Sequence, residues 1–106
     1  MLDKTTSMIY DKCNECLDNF DFERVADVME YLNWGWYDEL VKEPVVPHVS
    51  DIRALARKML IEALENTFES KEDWFSSTGG LEVHAYMVND ELNCSLKFVL
   101  TETETN

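Results

Sequence analysis

The chain has 106 residues, 45 % hydrophobic and 11 % aromatic, which is enough for one folded core and too little for two. Twenty-two acids against nine bases give a formal net charge of −13, a balance that disfavours direct contact with phosphate backbones and favours a basic partner. No apolar run approaches the roughly 18–20 residues of a membrane span, and "MLDKTTSMIYDKC" lacks the apolar segment after a basic start that marks an export signal.

The first periodic stretch covers residues 4 to 19, where Ile9, Cys13, Cys16, Leu17 and Phe20 recur at helical spacing and form one apolar stripe. Asp21 is placed to cap a second helix, "FERVADVMEYLNW", because a short carboxylate can accept from a free N–H of the first turn. Phe22, Val25, Met29 and Leu32 line its inner face, widened by Ala26 and Val28. Gly35 is expected to stop this helix by accepting a left-handed backbone. Pro44 and Pro47 disfavour helix in the residue before each of them, so residues 37 to 47 read as a connection.

A third helix is expected over residues 49 to 69. It has a stripe of Val49, Ile52, Leu55, Ala56, Met59, Leu60, Ala63, Leu64 and Phe68, a cap at His48 or Ser50, and Asp51 in its first turn. "SSTGG" at 76 to 80 then breaks the helical pattern. From Leu81 the period falls to two, and Asn89-Asp90 sits between two alternating runs as a hairpin turn. Pairing outward from it puts Leu81, Val83, Ala85 and Met87 on one face with Leu92, Cys94, Leu96 and Phe98. Glu82, His84, Tyr86, Asn93, Ser95 and Lys97 fall on the other.

The expected fold class is therefore α+β, with three helices followed by a C-terminal antiparallel β-hairpin and the helices packed on one face of the sheet. Residues 1–100 form a single domain and 101–106 a short polar tail. An isolated hairpin is marginal, so either residues 38–46 add a strand or a second copy of the chain pairs at the hairpin edge to make a homodimer.

Cys13-Asn-Glu-Cys16 has the spacing of zinc and redox sites. Only Cys94, His48 and His84 remain as further N or S donors, and the hairpin register sets Cys94 and His84 on opposite faces. Cys13 and Cys16 both lie on the apolar stripe, where cysteine acts as a small hydrophobe. Core packing is the preferred reading, with no metal and no cofactor. Three cysteines cannot all pair within one chain, and without an export signal they read as reduced thiols of a cytoplasmic protein. No nucleophile–base framework or metalloprotease motif is present, so the chain reads as a non-enzyme.

Two binding readings remain. Asp11, Glu15 and Asp18 fall at i, i+4 and i+7 on the first helix, and Glu23, Asp27 and Glu30 repeat that spacing on the second. Such like-charge rows can be plain solvated faces, or can imitate phosphates at the basic, nucleic-acid-binding surface of another protein. Trp34 and Trp36 flank Gly35, so one is expected in the core and the other partly exposed as an anchor. The alternative is a nucleotide-like anion held by the turn Ser77, Thr78, Gly79 and Gly80 with Arg53 and Arg57.

The order "DFERVADVMEYLNWGW … VPHVSDIRALARKMLIEAL … STGGLEVHAY … LKFVL" resembles a group of small phage-encoded proteins. They share a tryptophan-ended helix, a proline-started helix and a Thr-Gly-Gly opening to a terminal hairpin. The resemblance implies an inhibitor of a host defence nuclease, including a CRISPR effector, acting in the host cytoplasm. A phage structural or accessory oligomer is a further alternative.

Overall fold

The structure, a computed structural model, describes residues 3–99; the polar tail expected at 101–106 lies outside them. Helix α1 (Lys4–Asp18) starts where the Asp3 carboxylate accepts from Thr6 N–H at 2.8 Å. Helix α2 (Phe22–Tyr31) starts in the same way on Asp21, which accepts from Arg24 N–H at 3.0 Å. Replacing a capping side chain with alanine orphans that N–H. Asp21→Ala should therefore lower the stability of the domain by about 1 kcal/mol, read as a shifted urea midpoint with unchanged m-value.

The stop of α2 differs from the sequence reading. Asn33, with φ of 55°, takes the left-handed position, and Gly35 does not. Asn33 N–H donates to Glu30 O at 3.1 Å and Trp34 N–H to Met29 O at 2.8 Å, the paired bonds of a Schellman close. Asparagine tolerates this backbone because its short amide can bond locally. Gly35 is needed for room: a Cβ there would lie 2.5 Å from the Val45 carbonyl carbon.

That close approach belongs to a two-stranded sheet absent from the sequence reading, in which β1 (Trp36–Asp38) pairs antiparallel with β2 (Glu43–Val45). Residues 38–46 thus add no strand to the main sheet. Three-residue strands are too short to show a period, and Pro44 is tolerated because each strand of such a ribbon has a free edge. The loop is tied by Asp38, whose Oδ1 accepts from Leu40 N–H at 2.7 Å and Val41 N–H at 3.2 Å.

Helix α3 (Val49–Ser70) follows, with His48 at its N-cap position but no side-chain bond there. It is the centre of the molecule, packed by α1 and α2 and by all three strands of the main sheet. Ile52, Ala56, Leu60, Ala63 and Leu64 are fully buried. Thr67, also fully buried, satisfies its hydroxyl by donating to Ala85 O at 3.3 Å. Lys71 ends the helix in a left-handed conformation, φ 63°, with its N–H on Thr67 O.

The main sheet has three strands, in the order β3 (Trp74–Thr78), β4 (Leu81–Val88), β5 (Glu91–Phe98), all antiparallel. The expected terminal hairpin is present with its register: Met87 opposite Leu92, Ala85 opposite Cys94, Val83 opposite Leu96 and Leu81 opposite Phe98. Asn89 and Asp90 both have positive φ, 52° and 66°, as a two-residue turn of matched twist requires. The correction is β3. "SST" belongs to a strand paired residue by residue with β4, from Trp74 opposite Ala85 to Thr78 opposite Leu81. Only Gly79 and Gly80 form the turn, at φ 60° and 89°. Serine and threonine have little polarity contrast between the two faces, so this strand has no visible alternation. The helices cover the face of Leu81, Val83 and Ala85, while the other face packs no helix among the described residues.

Candidate interaction surface

The acidic rows are on the outside. Asp11 and Glu15 on α1, and Glu23, Asp27 and Glu30 on α2, are exposed and without an ion pair among the described residues. Asp18 differs, because Arg53 reaches it from α3 at 3.0 Å. An exposed pair of this kind contributes about 0–1 kcal/mol, and its effect is to hold the end of α1 against α3.

Arg53 and Arg57 are both engaged by the helices. Arg53 also lies over the Phe22 ring, 5.9 Å from its centroid, and Arg57 lies over Tyr10 at 5.4 Å while donating to Asn14 Oδ1 at 2.9 Å. Ser77 and Thr78 lie in β3 opposite Glu82 and Leu81. The two arginines and the Ser77, Thr78, Gly79, Gly80 segment share no hydrogen bond or ion pair among the described residues. The neighbour of Ser77 is a carboxylate rather than a guanidinium.

The turn glycines serve the tryptophans. Trp36 Nε1 donates to Gly79 O at 3.0 Å, and a Cβ on Gly79 would meet that indole at 2.7 Å. A Cβ on Gly80 would meet Trp34 Cη2 at 3.0 Å, and Trp34 stands edge-on to Phe98 with ring centroids 5.9 Å apart. The expected split into one core and one partly exposed tryptophan is not what the structure has. Both rings are half-buried and packed against the core, one on each glycine of the β3–β4 turn. The reason is alternation: across Gly35 the chain passes from helix close to strand, and both rings can then reach the same turn.

The exposed apolar groups of this region are others. Tyr31 is 87 % exposed and Leu40 93 %, with Tyr37, Val41, Val45 and Val46 exposed beside them in sequence. Strands β1 and β2 pack chiefly on each other, and the α2 acid row ends at Glu30, next in sequence to the exposed Tyr31. Nothing in the composition separated these side chains from core residues, although "ELVK" between two short runs is the kind of segment that ends in a loop tip.

The helix-free face of the main sheet carries a second unforeseen feature. Phe75 stacks on His84 at 4.0 Å and 9° between planes, and Tyr86 follows at 4.6 Å from His84. His84 Nε2 is held by Asp73 Oδ2 at 3.1 Å. The adjacency of Trp74 and Phe75 was the available signal, since neighbours of opposite strand parity point to opposite faces.

The cysteines divide by environment. Cys13 is fully buried, with its thiol pointing at Arg57 O at 3.9 Å, and burial pushes its pKa up. Cys94 on β5 donates its thiol proton to Lys12 O on α1 at 3.8 Å, one turn before Cys16. The neighbouring Cys94 side chain lowers the pKa of Cys16, and the Cys16 side chain, with burial, raises that of Cys94. Cys94 packs toward the core and His84 lies on the outer face, as the register required. Among the described residues no cluster of His, Cys, Asp and Glu is arranged to hold a metal ion, and no helix is long and apolar enough to cross a membrane.

No protein-family model matches the chain, and no curated protein or solved structure matches it.

Proposed function

We propose that this protein is a non-enzymatic inhibitor that occupies the basic, nucleic-acid-binding surface of a partner protein. The observation that carries the reading is that Asp11, Glu15, Glu23, Asp27 and Glu30 are open to water and have no ion pair among the described residues. Within the α2 row three charges span eight residues, one charge per about 5 Å of helix axis, against one per about 3.4 Å along a DNA strand. The α2 row thus has roughly two-thirds of the linear charge of a nucleic-acid strand. Like-charge neighbours on a helix cost a few tenths of a kcal/mol per pair, a penalty that a cationic groove would remove on binding.

Charge alone steers and orients; apolar anchors supply residence time. Tyr31, Tyr37 and Leu40 are the exposed candidates, and they take over the anchoring role assigned from sequence to Trp34 and Trp36. On the phage resemblance the partner is a host defence nuclease or CRISPR effector. A partner captured on the immobilised protein at low salt should elute steeply as ionic strength rises and should release bound nucleic acid on capture. Retention that is flat with salt would overturn the mimicry.

A further inference from the structure

We propose that Cys16 and Cys94 are a reactive dithiol, which reacts with low-molecular-weight zwitterionic peptide disulfides in the cleft between α1 and β5 and closes to a disulfide joining helix to strand. This stands independently of the inhibitor reading.

The fold brings these two residues, far apart in sequence, to one cleft between α1 and β5. Cys94 Sγ lies 3.8 Å from the Lys12 carbonyl, the helical oxygen one turn before Cys16, which is the acceptor for the Cys16 N–H in an α-helix. Its sulfur therefore rests on the turn that carries Cys16. Both line an open cleft of about 370 Å³ with Lys12, Glu15, Asn19 and Asn93. These walls offer one cation, one carboxylate and two amides, which complement the carboxylate, ammonium and peptide groups of a zwitterionic peptide. Cys13, on the same helix, is sealed in the core. The CxxC spacing is thus not the reactive pair.

The chemistry follows from the asymmetry of the two thiols. A thiolate attacks and a thiol does not. Cys94 donates its S–H to the Lys12 carbonyl, a bond that favours its neutral form. Cys16 is therefore the attacking thiolate, its pKa lowered by the Cys94 neighbour. It attacks one sulfur of the incoming disulfide, forming a Cys16 mixed disulfide and expelling the first peptide thiolate, which takes up a proton. Cys94 then gives its proton to solvent, and its sulfur attacks the Cys16 sulfur and expels the second peptide thiol. In sum, two protein thiols and one peptide disulfide become one protein disulfide and two peptide thiols.

The test is to incubate the reduced full-length protein with glutathione disulfide, quench with acid, and read intact mass and peptide map. The expected product has lost two hydrogens and links Cys16 to Cys94. Cys94→Ala should stop at a glutathionyl group on Cys16, and Cys16→Ala should not react in the same time. Glutathione left on Cys16 of the wild-type protein, first modification at Cys94 or Cys13, or no reaction while a control dithiol oxidises fully would each overturn the proposal. Iodoacetamide labelling of Cys16 near neutral pH gives a second readout. Cys94→Ala should slow it by removing the neighbour that lowers the Cys16 pKa, whereas Cys94→Ser, which keeps a polar hydrogen there but cannot close the bond, should label like wild type. Equal slowing in both variants would instead assign the effect to packing and overturn the thiolate argument. Hydroxyethyl disulfide, which lacks charges, should react several-fold more slowly than glutathione disulfide; equal rates would overturn the peptide selectivity.

Discussion

Gly35→Ala should destabilise the domain by about 3 kcal/mol, a large effect for one added methyl group. The new Cβ would lie 2.5 Å from the Val45 carbonyl carbon and 3.0 Å from its nitrogen. Those are backbone atoms, so no rotamer change relieves the overlap, and β1 or β2 must move instead. The Trp36–Val45 pairing is lost first, and with it the seat of the Trp36 indole on Gly79. Urea unfolding followed by tryptophan emission should show a lower midpoint and a native spectrum already shifted to the red. Gly79→Ala is the contrast. There the obstacle is an indole side chain and a φ of 60°, for which the left-handed penalty is about 1–2 kcal/mol. A Gly35→Ala variant as stable as wild type would mean that β2 does not lie where the structure has it.

Neutralising the α2 row by Glu23→Gln, Asp27→Asn and Glu30→Gln should separate function from stability. The net charge moves from −13 to −10, three carboxylates fewer. Relief of like-charge neighbours gains a few tenths of a kcal/mol per pair, and loss of Glu23 from the first turn of the helix gives back a similar amount through the dipole. The melting temperature should barely change. Association with a cationic partner should slow about tenfold or more at low ionic strength and match wild type at high salt. The measurement is stopped-flow or surface binding to the captured partner across a salt series. An unchanged association rate at low salt would show the row to be a solvated face and nothing more.

The parts of the fold that could be read directly were those with a long period. The stripe from Ile52 to Leu64 and the alternation from Leu81 to Phe98 repeat often enough to fix both element and register, and the Asp21 cap followed from its chemistry. What escaped were short or low-contrast elements. Residues 36–38 and 43–45 are strands by pairing alone, and "FSST" alternates without a polarity difference between faces. Ser-Ser-Thr-Gly-Gly was read as a single break because glycine dominates local propensity, although only the two glycines turn. The site was legible in its charges, since exposed carboxylates at helical spacing need no tertiary information. Its apolar half was not. Leu40 and Tyr31 look like core residues until the loop between β1 and β2 and the end of α2, which carry them, are known to lie at the periphery. The shared cleft of Cys16 and Cys94 was hidden for another reason. Seventy-eight positions separate the two, 94 minus 16, and a nearer cysteine at 13 offered the obvious but geometrically wrong partner.

The clasp of Trp34 and Trp36 on Gly80 and Gly79 has an optical consequence. Two of the chain's three tryptophans sit at the hinge between the two-stranded ribbon and the main sheet. Any ligand that grips the ribbon and tilts it must alter the surroundings of both indoles, so the molecule contains a native fluorescent gauge of occupancy that requires no label.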